Sequence, residues 1–275
     1  MQEHTERHPP KHSIALLLST PRTISMIMKI IRAASLGRAH ELIIKHILEK
    51  GRERRTENGE ETLETDEIAL RVENPLTEPM ASGQSRFKKA FLESYADGLI
   101  NGSDSVFEYD YHSRLFDWGQ GLKLKEGDIH ADQIRYIIEK LKNEPVSRRA
   151  VAVTWNPAID ETLNDCPCLQ LIQCVIRKGQ EEGDAPLLDM KVIFRSNDML
   201  SAAGANMYAL ARLQQSIADA VGVPVGAYTH ISLVPHIYYK RDVADIPPFC
   251  GEGTLIRPQE TVCAACRGCR RADEI

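Results

Sequence analysis

Apolar segments rich in β-branched residues run through the second half of the chain and limit its fold more than any other feature. RAVAVTW (149–155), CLQLIQCVIRKG (168–179) and LLDMKVIFRS (187–196) are separated by turn-forming stretches, which predicts sheet strands. GANMYALARLQQSIADAVG (204–222) predicts a long buried helix, and AYTHISLVPHIYY (227–239) predicts a last strand. With the helices predicted before them, these segments indicate an α+β fold.

Three helices and two strands are predicted in the first half of the chain. After a short strand near residue 30, Ser35 is suited to cap a helix that ends at Gly51. ERRTENGEET (53–62) is predicted to be a charged loop, and DEIALRVENP (66–75) alternates as a half-buried strand does. The other helices are predicted from about Ser85 to Ile100 and through HADQIRYIIEKLKNEP (130–145).

The chain divides into three predicted parts. Residues 1–27 carry prolines, many charges and an apolar run too short for a signal-peptide core or a membrane span, so a disordered or mis-started extension is expected. Residues 28–247 form the main domain. Residues 248–275 are rich in proline, glycine and cysteine and predict an appended tail.

Charge and cysteine content narrow the class of protein. A net charge of -5 argues against binding to nucleic acid, whose phosphates attract basic surfaces. Seven cysteines are an odd number, so a disulfide framework is not expected without a secretory signal. We therefore expect a cytoplasmic protein in a reducing compartment, with neither nucleic acid nor membrane as a partner.

Five short motifs carry most of the functional information: SRRAVAVTWNP, CPCLQ, FRSND, GANMY and HIY. Each has a structural explanation when taken alone; a cysteine that opens an apolar strand is usually a small core residue. Their order and spacing together resemble the thymidylate synthase family. The matching intervals are Arg149 to Trp155, Asp198 to Asn206, Asn206 to His236 and His236 to Tyr238. The resemblance covers about residues 28–245, most strongly 131–240, and is closest to the compact archaeal branch.

The resemblance implies both a fold and a reaction. The fold would be a three-layer α/β/α arrangement whose mixed, twisted sheet forms the interface of a homodimer with shared active sites. The reaction would be the reductive methylation of dUMP to dTMP, which makes the chain a methyltransferase. Cys168 would be the nucleophile that adds to uracil C6, with Arg195 supplying a positive field, and Cys166 would be a bystander.

The resemblance also implies the roles of the binding residues. The dUMP phosphate would be bound by Arg195 and Ser196, and by Arg148 and Arg149 of the partner subunit. Asn206 would read the uracil edge, and His236 and Tyr238 would hold the 3'-hydroxyl group. Asp198 would contact the pterin co-substrate, 5,10-methylenetetrahydrofolate or 5,10-methylenetetrahydromethanopterin, and Trp155 would line the pocket.

The chain departs from the family pattern at four places. Leu169 stands where most members have a histidine, which puts part of the proton handling in question. Arg54 and Arg55 are candidates for the family's N-terminal phosphate-binding arginine. Glu93 is the candidate for the glutamate that organises proton transfer. Tyr111 or Tyr109 would correspond to a tyrosine that precedes an arginine in the family pattern.

The cysteine tail and two rival functions remain open. Cys263, Cys266 and Cys269 have close spacing, and Cys250 would be a fourth thiolate for zinc or an iron-sulfur cluster; a reduced tail without metal is the alternative. A pyrimidine nucleotide hydroxymethylase would let water quench the same adduct. An inactive, metal-binding regulatory homologue would keep only the fold.

Overall fold

The larger of two sheets forms the centre of the fold. The computed structural model describes residues 28–103, 110–118, 131–179 and 183–250, and the backbone of the short paired strands 255–256 and 270–271. The strands of the larger sheet are β1 (Lys29–Ala33), β4 (Ile68–Val72), β5 (Val151–Val153), β6 (Leu169–Arg177), β7 (Leu187–Phe194) and β9 (Val225–Ser232). The sheet is mixed and has the strand order β1-β4-β9-β7-β6-β5.

Some of the helices begin at capping aspartate or serine side chains, and one of these, Ser35, is the cap that the sequence predicts. Ser35 accepts a hydrogen bond from Arg38 N and opens α1, while Asp132 does the same from Arg135 N for α4. The helices are α1 (Leu36–Lys50), α2 (Lys89–Asn101), α3 (Tyr111–Phe116), α4 (Gln133–Asn143), α5 (Pro157–Asp160) and α6 (Ala203–Val221). The helix expected from Ser85 therefore begins four residues later.

Helix α6 fills the core between the sheet and helix α2. It is buried over most of its surface and contacts β7, β9, α1, α2 and α4. Alternate residues of the strands, such as Ile172, Met190 and Leu70, are buried on the sheet face that α6 covers. The α+β class and the mixed sheet are confirmed. Among the described residues, α1, α4 and α6 pack against the larger sheet, and α2 packs against α6.

A second, smaller sheet corrects two predictions. Residues 53–62, expected to be a loop, form most of a hairpin of β2 (Arg52–Arg55) and β3 (Glu61–Glu64). The expected last strand is split, because β10 (Pro235–Ile237) leaves β9 to pair with β3 and with β8 (Asn197–Asp198). This sheet places the β2–β3 loop beside the segments that carry Asp198 and His236.

The other face of the larger sheet carries an apolar row across all six strands. The register aligns Val153, Leu171, Ile193, Ile231, Ala69 and Ile30. These side chains are half-buried or exposed, and Ile30 is 63% exposed. The neighbouring row is polar and includes Gln173, Lys191 and Arg71. A continuous apolar row on a sheet face is typical of a surface that packs against another protein.

Two of the three predicted parts of the chain lie largely outside the residues that the structure describes. Residues 1–27 lie outside the described residues, as do Cys263, Cys266 and Cys269. Within the described residues, no helix has the length and apolar character needed to cross a bilayer.

Candidate active site

One cavity of about 900 Å³ gathers most of the residues that the sequence motifs single out. Helices α2 and α3, the β2–β3 loop, the start of α6 and the ends of β6, β8 and β10 surround it. Seven of the predicted site residues line it: Cys168, Arg195, Ser196, Asp198, Asn206, His236 and Tyr238. Positions that are up to 70 residues apart in the chain, 168 to 238, thus meet at one site.

Cys168 lies immediately before β6, where the strand register shifts between Leu169 and Leu171. Its carbonyl oxygen accepts a hydrogen bond of 2.8 Å from the backbone N–H of Arg195, which ties it to the end of β7. Its side chain is half-buried and faces the cavity. Cys174 differs, because complete burial raises the pKa of its thiol to about 12. Cys168 is therefore placed to react with a bound molecule, whereas Cys174 is a core residue.

The guanidinium group of Arg195 fastens the turn that carries Cys168. Its Nε donates to the carbonyl oxygen of Pro167 at 3.0 Å, and one terminal nitrogen donates to that of Cys166 at 2.7 Å. The same nitrogen lies 3.4 Å from Cys166 Sγ, yet Cys166 is not among the residues that line the cavity. A fixed positive charge therefore lies beside the turn, and only the second of its two cysteines faces the cavity.

Leu169 has a structural role that accounts for its apolar side chain. It is fully buried in the core, its backbone N–H donates to the Tyr111 hydroxyl at 3.1 Å, and its carbonyl accepts from Thr154 Oγ1. Tyr111 also lines the cavity. Of the two tyrosine candidates, Tyr111 thus contacts the residue that follows Cys168, and Tyr109 lies outside the described residues.

Asn206, in the first turns of α6, is paired with a tyrosine. The Tyr95 hydroxyl donates to Asn206 Oδ1 at 2.7 Å, and both residues line the cavity. Asn206 is 5% exposed. Burial, with a smaller contribution from the nearby Cys168, raises the pKa of Tyr95 to about 12, so its hydroxyl keeps its proton at neutral pH. Tyr95 and Cys168 thus belong to the same local environment.

His236 and Tyr238 form one corner of the cavity. Their rings meet edge to face with centroids 5.0 Å apart, and His236 Nδ1 lies 3.4 Å from Ser196 Oγ and 3.1 Å from the Val234 carbonyl oxygen. Burial raises the pKa of Tyr238, which is therefore a neutral donor at physiological pH. This corner offers hydroxyl and imidazole groups to a ligand.

Asp198 is held by both of its carboxylate oxygens. Oδ1 accepts from the backbone N–H groups of Leu200 and Ser201, and Oδ2 forms a 2.6 Å ion pair with Arg241. The guanidinium of Arg241 also stacks over the Tyr238 ring, 4.0 Å from its centroid. The carboxylate is thus fixed before any ligand binds.

Comparison with known protein families covers the part of the chain that carries these residues. The family model described as thymidylate synthase matches residues 102–246, which include all seven of these cavity residues. The chain belongs to the thymidylate synthase family.

Three similar proteins come from archaea. A protein named "Putative thymidylate synthase" from Methanocaldococcus jannaschii is 40% identical over 220 residues, or 78% of this chain and 93% of the relative. Proteins of the same name from Methanosarcina barkeri and Methanothermobacter thermautotrophicus are 35% and 30% identical, over 77% and 71% of this chain and 90% and 87% of theirs. The resemblance to thymidylate synthases, and to archaeal members in particular, is confirmed.

Four of the predicted thymidylate synthase site residues do not line the cavity. Glu93 points to solvent on α2, with its side chain 56% exposed, and pairs with Lys89 at 3.7 Å. Trp155 lies between β5 and α5, away from the cavity lining. Arg148 and Arg149 precede β5 and are exposed.

Arg54 and Arg55, the candidates for the N-terminal phosphate-binding arginine, are exposed on β2. The loop that follows them reaches the cavity through Thr56, Glu57 and Asn58.

Two polar residues that line the cavity were given no role in the site from the sequence. Tyr95 lies on α2, outside all five sequence motifs. Asn197 lies within the FRSND motif, is 2% exposed and accepts a hydrogen bond from His230 Nε2 at 3.1 Å. His230 Nδ1 in turn accepts from the Tyr228 hydroxyl at 3.1 Å. This buried chain fixes the segment between Ser196 and Asp198.

The described residues contain no group of three or more histidine, cysteine, aspartate or glutamate side chains arranged to hold a metal ion. Cys250 is the only member of the suggested tail site that the structure describes, and it is disulfide-bonded. Its sulfur is therefore engaged in a covalent bond rather than present as a thiolate.

Proposed function

We propose that this chain catalyses the reductive methylation of dUMP to dTMP, with a methylene-carrying reduced pterin as the donor. The observation that carries the proposal is the meeting of Cys168, Arg195, Asn206 and His236 on one cavity. Membership of the thymidylate synthase family supports methyl transfer to a pyrimidine nucleotide in general terms. The assignment of individual residues rests on their chemistry and position.

The phosphate of dUMP would be bound at the end of β7. A guanidinium group has five N–H donors, and two of the Arg195 nitrogens are already engaged with the Pro167 and Cys166 carbonyl oxygens. The remaining donors would bind phosphate oxygens together with Ser196 Oγ. The charge that holds the cysteine turn would thus also anchor the substrate.

The base and the sugar would be recognised by neutral polar groups. Asn206 has both a donor and an acceptor, which match uracil O4 and N3–H. His236 and Tyr238 would bind the 3'-hydroxyl group from the opposite corner. This arrangement would hold uracil C6 against Cys168 Sγ.

Cys168 would start the reaction by adding as a thiolate to uracil C6. The new C–S bond places negative charge on O4, beside the Asn206 amide donor, and makes C5 nucleophilic. When bound, the reduced pterin supplies the methylene group and then the hydride that completes the methyl group. The C5 proton would be lost to water in the cavity as the methylene group separates from the pterin, and expulsion of the Cys168 thiolate after hydride transfer would release dTMP.

Asp198 would be the contact for the pterin ring. Its carboxylate is fixed by two backbone N–H groups and by Arg241, so it would accept hydrogen bonds without reorganising. Trp155 would contribute to the pocket only after a rearrangement or through a second chain. Both 5,10-methylenetetrahydrofolate and 5,10-methylenetetrahydromethanopterin have the chemistry that the site requires.

The active unit would be a homodimer that packs through the open face of the larger sheet. The apolar row from Val153 to Ile30 supports this assembly, since it would be buried between two copies. The exposed Arg148 and Arg149 lie at the edge strand β5, where they would reach the phosphate of the partner's substrate. The enzyme would act in the cytoplasm, where Cys168 stays reduced.

One assay separates this proposal from its rivals. Purified protein is incubated with dUMP and each methylene donor, and the products are separated by chromatography. We expect dTMP; 5-hydroxymethyl-dUMP would indicate the hydroxymethylase. The absence of turnover together with bound zinc or iron would indicate the inactive, metal-binding homologue. Asn206 favours the synthase acting on a uracil nucleotide.

A further inference from the structure

The Tyr95–Asn206 pair joins two helices at the cavity wall. Tyr95 comes from α2 and Asn206 from α6, and the hydroxyl-to-Oδ1 distance is 2.7 Å. Tyr95 belongs to an aromatic stack in which the Phe87 and Phe91 centroids are 4.4 Å apart and the Phe91 and Tyr95 centroids 6.1 Å apart. The stack limits the rotation of the Tyr95 ring, so its hydroxyl is held toward Asn206.

We propose that Tyr95 sets the orientation of the Asn206 amide and thereby the preference of the cavity for uracil over cytosine nucleotides. The inference rests on the proposed function, because it requires that a pyrimidine nucleotide bind at Asn206. Tyr95 is a positioning residue here: it acts on the base through Asn206.

The chemistry of the two bases makes the orientation decisive. Uracil presents a donor at N3 and an acceptor at O4, whereas cytosine presents an acceptor at N3 and a donor at N4. An Asn206 amide whose Oδ1 accepts from Tyr95 has a second lone pair for the N3–H of uracil, and its Nδ2 donates to O4. The Tyr95 hydroxyl, the Asn206 amide and the N3–H and O4 groups of uracil then all have hydrogen-bond partners.

Cytosine would require the amide to turn by 180°. Nδ2 would then face Tyr95, whose hydroxyl would have to stop donating, accept instead and turn its own proton elsewhere in a half-buried site. Because an unpaired buried donor is costly, the tyrosine opposes this rotation. Removing the hydroxyl should therefore weaken the binding of uracil nucleotides and relieve the bias against cytosine nucleotides.

The test measures the affinities of dUMP and dCMP by calorimetry for the wild type and for Tyr95→Phe. Phenylalanine fits the aromatic stack, and circular dichroism checks the fold. We expect the variant to bind dUMP roughly tenfold more weakly and dCMP no more weakly than the wild type does, so that the dUMP/dCMP ratio falls about tenfold. Tyr208→Phe is the matched control, because Tyr208 is a buried tyrosine of α6 outside the cavity lining.

The results also separate the two proposals. An unchanged dUMP/dCMP ratio, or an equal loss of both affinities, overturns the role of Tyr95 and leaves the proposed function intact. A wild-type protein that binds neither nucleotide overturns the proposed function, and the inference about Tyr95 with it. A wild type that binds the two nucleotides equally overturns the inference alone.

Discussion

Arg195 donates its backbone N–H to the carbonyl oxygen of Cys168 at 2.8 Å, which ties the end of one central strand to the start of its neighbour. The side chain of the same arginine donates to the two carbonyl oxygens that precede Cys168. One residue therefore fixes the cysteine turn from both its main chain and its side chain. The conformation of the turn, the positive charge beside it and the proposed phosphate site therefore all depend on Arg195.

Replacement of Arg195 by methionine should reduce both reactivity and activity. Loss of its charge disfavours the Cys168 thiolate and leaves the phosphate and two carbonyl groups without their partner. We expect kcat/KM for dUMP to fall by about two to three orders of magnitude, and the alkylation rate of Cys168 to fall as well. Arg212→Met, on the exposed side of α6, is the control. An unchanged rate of Cys168 alkylation in Arg195→Met would contradict the electrostatic part of the account.

The buried ion pair between Arg114 and Asp160 should be a large contributor to stability. Arg114 donates to both Asp160 oxygens, at 2.6 and 3.3 Å, and both side chains are at most 8% exposed. Asp160→Asn leaves the Arg114 charge buried without its partner, so urea unfolding should show a loss of about 3 kcal/mol. The exposed pair Arg135–Glu139 gives the control: Glu139→Gln should cost at most about 0.5 kcal/mol. Similar losses in the two variants would refute this prediction.

Stability should fall as the pH drops below about 6.5, because His230 is buried in its neutral form. Burial lowers the pKa of His230 from 6.5 to about 3, so below 6.5 the unfolded chain binds a proton that the folded chain does not. Its contribution is complete above pH 6.5 and is lost progressively toward pH 3. Buried His40, whose pKa is also lowered by burial, acts in the same direction.

The slope of stability against pH isolates the effect of His230. Between pH 6 and 5, His230→Asn should lower the slope of the unfolding free energy by about 1 kcal/mol per pH unit. Tyr228→Phe removes the hydroxyl that donates to His230 Nδ1 but keeps the imidazole, so it should retain most of the wild-type slope. A His230→Asn variant with the wild-type slope would mean that His230 does not titrate as described.

Mixing two inactive variants tests the shared active site. Cys168→Ser lacks the nucleophile and Arg149→Met lacks a phosphate-binding arginine, so each homodimer should be inactive. If the arginine acts across the interface, a mixed dimer contains one complete site, and random exchange should restore about a quarter of the wild-type activity. No recovery, with exchange verified by mass spectrometry, would mean that Arg149 acts within its own chain.

Much of the fold follows from local patterns in the sequence. The helices α1 and α4 and the strands β6 and β7 were predictable because their hydrophobic spacing is regular, and for α1 the capping residue Ser35 agrees with that spacing. The β2–β3 hairpin was missed because β2 is exposed and charged, so it has no apolar face to mark it. The division of the last segment between β9 and β10 depends on pairing with distant strands, which local pattern does not encode.

The candidate site, like the fold, was predictable where local motifs identify it and not where it depends on packing between distant segments. Motif spacing identified the residues that line the cavity around Cys168, since those motifs carry the chemistry. Glu93 and Tyr95 show the limit: two positions apart on a helix, they point in nearly opposite directions, so only one of them can face the cavity. The packing of α2 against α6 determines which face of α2 turns toward the cavity, and this packing is visible only in the structure.

The most direct test of the central claim compares Cys168→Ser with Cys166→Ser. The two cysteines flank Pro167 in the same turn, and only Cys168 lines the cavity. The measurement is dTMP formation from dUMP with the active methylene donor, at equal concentrations of folded protein. We expect Cys168→Ser to lose at least about a thousandfold in kcat, and Cys166→Ser to stay within about threefold of the wild type. Full activity in Cys168→Ser, or an equal loss in both variants, would contradict the assignment of Cys168 as the nucleophile.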